Sequence, residues 1–259
     1  MKILVMTIAT GGERYMRYAA PLFASIQEYF PPCDTVLFTD ETQKDFGQTV
    51  TVFESAREWP YPTILLYRIV LKQRELMLQY DQVFWMDIDM LVCSKIEADE
   101  ICSDGITAVL HHMLPNFFER NPKSTAYVEG SHPYYQGCFW GGESKAIVQM
   151  CETLARNVDI DLERGIVALW HDESHLNRYL VDHPPAKVLT SAYAYPGEHL
   201  LMYPDTLLVR KPKPNLMGLR RRAARDVMTR FKVDGEFEPY TPKIRHIEKP
   251  NRDYWERKS

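Results

Sequence analysis

Val83-Phe84-Trp85-Met86-Asp87-Ile88-Asp89-Met90 is an apolar run that ends in two carboxylates at i and i+2. Entered through Tyr80-Asp81-Gln82, it has the unbroken apolar character of a strand buried on both faces, as in the centre of a parallel sheet. Side chains alternate along a strand, so Asp87 and Asp89 are expected on one side of the sheet edge and Ile88 on the other. Two carboxylates so placed form half of a hard-cation site and leave coordination positions for a phosphate-bearing ligand. The competing reading is a strand that runs into an acidic turn. A buried strand with no use for paired acids has little reason to end in them, which favours the metal.

Outward from this run, the pattern alternates. Residues 3–8 read as a strand, 16–30 as an amphipathic helix closed by Pro31-Pro32, and 34–39 as a second strand that ends at Asp40. Residues 63–80 carry a long helix pattern, with Leu66, Ile69, Val70 and Met77 on the apolar side, and feed the strand before Asp87. This β-α-β-α-β order predicts an α/β fold with a mostly parallel central sheet flanked by helices. Such sheets bind ligands outside the carboxyl ends of their strands, where Thr10-Gly11-Gly12, Asp40 and Asp87 fall. Further on, 105–111 reads as a strand, 145–156 as a helix, and 170–181 as a helix that Pro184-Pro185 stops. No repeat or low-complexity linker interrupts the 259 residues. One catalytic domain is therefore expected over 1–259, with a nucleotide-donor half (1–95), an acceptor half (96–209) and a basic C-terminal segment (210–259). That last segment holds nine Lys and Arg between Arg210 and Lys232.

At 45% hydrophobic residues, with a formal charge of −4 and a pI near 6.1, the chain fits neither a disordered protein nor a general nucleic-acid binder. Its five cysteines form no CxxC pair and read as thiols in a reducing compartment. The apolar start, Met1 to Ile8, is too short for a signal or anchor, and nowhere do about 18 apolar residues run together. A soluble, cytoplasmic protein with at most peripheral contact at the inner membrane face is expected.

The second dense site is Trp170-His171-Asp172-Glu173-Ser174-His175-Leu176-Asn177. His171 and His175 at i and i+4 could share a helix face, but a zincin places Glu directly after its first His, and here Asp172 stands there. An acidic helix start that complements the helix dipole is the simpler structural reading. Between the two acidic sites lies Tyr134-Tyr135-Gln136-Gly137-Cys138-Phe139-Trp140-Gly141-Gly142. Its Gly137 allows close backbone approach, Gly141-Gly142 allows a tight turn, and its aromatics offer flat faces to a sugar ring. Alone, that block could equally be core.

In this order the three segments resemble glycosyltransferase family 6, the family of the histo-blood-group A and B transferases and α-1,3-galactosyltransferase. Trp-His-Asp-Glu-Ser-His-Leu-Asn stands at 170–177, the Tyr-Tyr-x-Gly-x-Phe-x-Gly-Gly block at 134–142 and Met-Asp-Ile-Asp-Met at 86–90. The resemblance implies a GT-A fold and retaining transfer of galactose from UDP-galactose to the 3-OH of a β-galactoside, fucosylated or not. UDP-N-acetylgalactosamine is the alternative donor. It also implies Mn²⁺, or Mg²⁺ in its place, held by Asp87 and Asp89, with Ile88 beside the ribose and Tyr15 against the uracil. Ile8, Ala9 and Thr10 match the donor-lining strand end, Arg68 the donor-binding arginine, and Gln136, Gly137 and Cys138 the border of the donor sugar. Asp172 matches the donor-sugar ligand, and Glu173 the catalytic carboxylate, which also meets the acceptor beside His111 and Trp170. Lys249 and Arg252 match the basic residues that close over the diphosphate. Phe117 and Pro196 depart from the acceptor-binding threonine and aspartate of the mammalian members, and no counterpart of their membrane anchor and stem is expected, which leaves the acceptor's identity open. The basic Arg220–Lys232 cluster would suit an anionic lipid-linked acceptor at the inner membrane surface. A metal-dependent nucleotidyltransferase would also use Asp87 and Asp89, but needs neither Gly137 nor Glu173. A non-catalytic sugar binder would not need to keep every acid.

Overall fold

The computed structural model describes residues 1–92, 94–111, 117–196 and 228–230. Ten strands are recorded among them: β1 Ile3–Ala9, β2 Asp34–Thr39, β3 Val50–Phe53, β4 Gln82–Met86, β5 Met90–Val92, β6 Ile106–Leu110, β7 Tyr135–Glu143, β8 Lys187–Leu189, β9 Tyr195–Pro196 and β10 Met228–Arg230. The helices are α1 Glu13–Met16, α2 Ala19–Tyr29, α3 Tyr61–Ile64, α4 Leu66–Leu71, α5 Arg74–Met77, α6 Ala98–Ile101, α7 Ser144–Glu163 and α8 His171–Asp182. Seven strands form the central sheet in the order β3-β2-β1-β4-β7-β6-β8. All neighbours in it are parallel except β7, which runs against both β4 and β6. A smaller sheet, β5-β10-β9, stands beside it. This mixed α/β architecture, with helices on a mostly parallel sheet, is that of a GT-A glycosyltransferase fold.

Strand alternation divides the core into two layers. Ile3, Val5, Phe84, Met86 and Phe139 face one way and pack with Leu22 and Ile26 of α2. Leu4, Met6, Val83, Trp85 and Trp140 face the other way, toward α4, α7 and α8, and meet Tyr67, Ile147, Leu154 and Leu176. Both faces are covered, which is why β1 and β4 read as continuous apolar runs rather than as alternating ones. Among the described residues no helix is long and apolar enough to cross a membrane.

Four details differ from the sequence expectations. The 63–80 pattern is not one helix: Leu65 (ψ 8°) and Gln73 (ψ 25°) leave helical geometry, and three short helices result. At the second break Lys72 and Gln73 bond back three residues, to Ile69 and Val70, so tight turns replace the α-helical ladder. The 16–30 pattern corresponds to α2, which starts at Ala19 and not at Met16; the separate short α1 lies before it and shares only Met16 with the pattern. Gly141-Gly142 lie inside β7, not in a turn: a Cβ on Gly141 would stand 2.2 Å from Phe84 Cδ1, and one on Gly142 1.9 Å from the Gly105 carbonyl. These glycines let strands and side chains approach where any other residue would collide. Finally, β4 stops at Met86, and Asp87 opens a turn closed by the Met90 N–H on the Asp87 carbonyl at 3.1 Å. The two acids are thus brought to one side by a turn, not by strand alternation.

Candidate active site

The carboxyl ends of β1 and β4 open on a cleft of about 650 Å³. Ile8, Thr10, Gly11, Arg14 and Tyr15 line it from β1 and the chain that follows; Asp87, Ile88 and Asp89 line it from the turn after β4. Gly11 takes a left-handed φ of 91°, and its N–H reaches the Asp40 carboxylate at 3.2 Å, so the ends of β1 and β2 are tied together. The opposite wall, Arg57 to Thr63, is held from outside: Glu54, buried, pairs with Arg57 at 3.2 Å and with Lys72. Ile88 lines the same cleft as the two acids, where alternation along a strand would have turned it away.

A second, smaller pocket of about 210 Å³ continues inward and shares Ile8, Pro62, Thr63 and Asp87 with the cleft. Asp87 stands at the junction, its Oδ1 accepting the Trp85 indole N–H at 2.9 Å. The inner end is formed by Gly137, Cys138, Trp170, Asp172 and Glu173. Both Glu173 oxygens are engaged: Oε1 accepts the Tyr134 hydroxyl at 2.8 Å and Oε2 the Gly137 N–H at 2.7 Å. A Cβ on Gly137 would crowd Glu173, at 3.1 Å from its Cβ and 3.2 Å from Oε2, so a larger residue there would press on the carboxylate's position. Two aspartates that offer only oxygen, at the mouth of a pocket large enough for a sugar, suit a hard divalent cation that keeps positions for phosphate oxygens.

The helix that carries Glu173 is docked by its own sequence. Asn177, one turn further on and buried, forms a two-way pair with the backbone of Tyr135: Tyr135 N–H donates to Oδ1 and Nδ2 donates to the Tyr135 carbonyl, both at 2.8 Å. The same Nδ2 caps the Glu173 carbonyl at 2.9 Å. His171 opens α8 at φ 49°, an uncommon conformation for a residue with a Cβ. It stands edge-on to Trp59 at 5.3 Å. Burial pushes its imidazole down to about 4. His175 turns away from the site toward Asp161 at 3.8 Å and is likewise lowered to about 4 by burial. Among the described residues no group of three or more His, Cys, Asp or Glu comes together as a metal cage.

Beside Glu173 the chain builds an aromatic wall. Phe117 meets His111 at 5.4 Å, Tyr134 at 5.8 Å and Trp170 at 5.8 Å, the last edge to face. The buried carboxylate of Glu119 holds it together, accepting from Asn121 N and Leu169 N at 2.7 Å each. The segment before Trp170 is thereby fastened to the segment after Phe117.

Most residues expected at the site converge there, and a few do not. Arg68 points to the other side, paired with Asp159 of α7 at 2.5 Å, and lines neither pocket; on a short helix whose Leu66, Tyr67, Ile69 and Val70 are buried, it occupies the solvent face. Ala9 is packed into the core at the end of β1, and Gln136 is buried behind Cys138, whose thiol donates to it at 3.7 Å. Lys249 and Arg252 lie outside the described residues, and nothing described bears on Pro196 beyond its place in β9. Sequence reasoning missed Arg14, Arg17, Arg57 and Trp59, which line the cleft, and Tyr134, which holds Glu173. Arg14 and Arg17, three apart just after the Gly11-Gly12 turn at a strand end, were the legible signal. Arg57 and Trp59 had none, because a loop side chain is aimed by tertiary contacts.

A family model described as glycosyltransferase family 6 matches residues 7–211. Histo-blood group ABO system transferase 1 of Rattus norvegicus is 34% identical over 142 residues, covering 49% of this chain and 40% of that protein. O-antigen biosynthesis glycosyltransferase WbnI of Escherichia coli is 26% identical over 216 residues, covering 77% and 90%. Globoside alpha-1,3-N-acetylgalactosaminyltransferase 1 of Homo sapiens is 29% identical over 155 residues, covering 57% and 41%. The chain therefore spans less than half the length of these two mammalian relatives and most of the bacterial one.

Proposed function

This chain belongs to glycosyltransferase family 6, and on that premise we propose that it is a retaining α-1,3-glycosyltransferase that moves galactose from UDP-galactose to the 3-OH of a galactoside. The observation that carries the reading is the junction at Asp87, where a nucleotide-sized cleft meets an inner pocket that ends at Glu173, with both of its carboxylate oxygens held. In this reading the cleft takes UDP, with the uracil against Tyr15 and the ribose beside Ile88. Arg14 and Arg17 on the β1 side and Arg57 on the opposite wall line the cleft and would meet the diphosphate, a role for which Arg68 had been expected. The inner pocket takes the galactose, with Asp172 as a hydrogen-bond acceptor for its hydroxyls.

Asp87 and Asp89 are the residues that would hold Mn²⁺. When bound, such an ion neutralises negative charge that builds on the departing UDP. The chain's own residues do the rest. Glu173 faces the anomeric carbon as an oriented anion and stabilises the positive charge that grows there as the bond to UDP breaks. The aromatic wall of His111, Phe117, Tyr134 and Trp170 offers apolar faces to the acceptor sugar and keeps water from the reacting carbon. Galactose is favoured over N-acetylgalactosamine because the Cys138 thiol lines the inner pocket and fills space that an acetamido group would need.

The test is an assay of UDP release with UDP-galactose and with UDP-N-acetylgalactosamine, against free and lipid-linked galactosides, with the product linkage read by NMR. An α-1,3-linked galactose is expected. Transfer with inversion, faster transfer of N-acetylgalactosamine, or transfer only to an acceptor without galactose would each overturn the part of the reading it addresses.

A further inference from the structure

Tyr134 stands just before β7, and its ring reaches the first turn of α8. It is 3% exposed and is packed against Phe118 at 5.0 Å, His111 at 5.7 Å and Phe117 at 5.8 Å. The ring therefore has little freedom, and its hydroxyl has one described partner, Glu173 Oε1 at 2.8 Å. Burial, reinforced by the charge of Glu173, pushes the phenol far above the usual tyrosine range, so it stays protonated and donates.

The surroundings of Glu173 make that donor consequential. Asp172 on its own helix and Asp87 at the end of β4 line the same pocket, so three carboxylates share one small volume. Tyr67 of α4 spends its hydroxyl on the Asp172 carbonyl at 2.9 Å, and His111 faces Tyr134 from the end of β6. A glutamate has three side-chain torsions, and repulsion from its neighbours would turn it outward toward water. Against this stand the Gly137 N–H at 2.7 Å and the Tyr134 hydroxyl, one on each oxygen. Only the second belongs to a side chain and can be removed without altering the backbone.

Resting on the reading of Glu173 as the carboxylate that faces the reacting carbon, we infer that Tyr134 is a positioning residue of the reaction: its hydroxyl holds Glu173 in the orientation that turnover requires. An oriented anion needs no rearrangement as charge develops, whereas a mobile one must be ordered at each turnover. The effect belongs to kcat and not to donor binding, because the cleft that takes UDP is built from other residues.

Tyr134→Phe keeps the ring and removes one oxygen. It is compared with Glu173→Gln and with the double variant, and UDP binding by calorimetry reports an intact cleft. The expected result is a kcat lowered by about tenfold or more with donor KM within about twofold of the parent. In the double variant the Tyr134 change should add nothing to the loss caused by Glu173→Gln, because the hydroxyl acts only through that carboxylate. A wild-type kcat in Tyr134→Phe, a loss that appears in KM instead, or a full additional loss in the double variant would overturn the inference. If Glu173→Gln itself turns over like the parent, it is the assignment of Glu173 that falls.

Discussion

Cys138 shows how one side chain sets the shape of the inner pocket. It is 5% exposed, and Gln136 beneath it limits its rotation. Cys138→Gly should raise kcat/KM for UDP-N-acetylgalactosamine relative to UDP-galactose by about tenfold, within the range of 10- to 200-fold that a group of this size is worth in a packed pocket. An unchanged ratio would place the selection elsewhere. His171 and His175 carry a second prediction, for stability. Both are lowered to about 4 by burial, and for His175 the charge of Asp161 opposes that effect. Unfolded, each titrates near its ordinary value of about 6.5, so between about 6.5 and 4 the unfolded chain binds more protons than the folded one. The folded state should therefore lose stability as pH falls through that window. The thermal midpoint is expected to be level above pH 7, to drop toward pH 5, and to drop less steeply in His175→Gln; equal slopes in the two proteins would refute the assignment.

At the scale of elements, α8 and β7 work as one unit. Asn177 joins them through the Tyr135 backbone and also holds the Glu173 carbonyl, so the second half of the Trp170–Asn177 motif fixes where the first half stands. Asn177→Ala leaves a buried N–H and a buried carbonyl of Tyr135 without their partner, at about 1–3 kcal/mol for each such group. Urea denaturation should show a loss of about 2–4 kcal/mol, and kcat should fall with it, since Glu173 loses its support. Asn177→Ala with the parent's midpoint would mean that α8 is docked by its apolar face alone. The glycines of β7 make the same point about packing: Gly137 gives way to Glu173 and Gly141 to Phe84, and Gly141 could not be told from a turn glycine by its neighbours in the chain.

For the molecule as a whole, the site lies where the strand ends of a mostly parallel sheet meet the aromatic wall of the second half. Metal removal tests that arrangement. Turnover should be abolished by excess EDTA and restored by Mn²⁺, and Asp87→Asn should lose most activity, since the metal offsets charge worth several kcal/mol of barrier. Full turnover in EDTA would refute this role for Asp87 and Asp89. Much of the arrangement was legible beforehand. The unbroken apolar runs at residues 3–8 and 83–86 required strands covered on both faces, which determined the α/β class and put Thr10, Asp40 and Asp87 at one edge. The 86–90 and 170–177 motifs supplied the acids Asp87, Asp172 and Glu173, and the 134–142 block supplied Gly137 and Cys138, which line one pocket with them. Sequence did not decide how they are held, because periodicity records only which face of an element is apolar and says nothing of where an exposed side chain is aimed. Arg68 matched by position and stands on the far side of its helix, paired with Asp159. Arg57 matched nothing and lines the cleft, because the buried Glu54 behind its loop takes one edge of its guanidinium. Tyr134 read as one aromatic among several, and only the crossing of α8 over β7 brings its hydroxyl to Glu173. The main strands and the class follow from local pattern; the breaks within elements and the partners of a charged or polar side chain follow from contacts between residues far apart in the chain, and those exist only once the chain has folded.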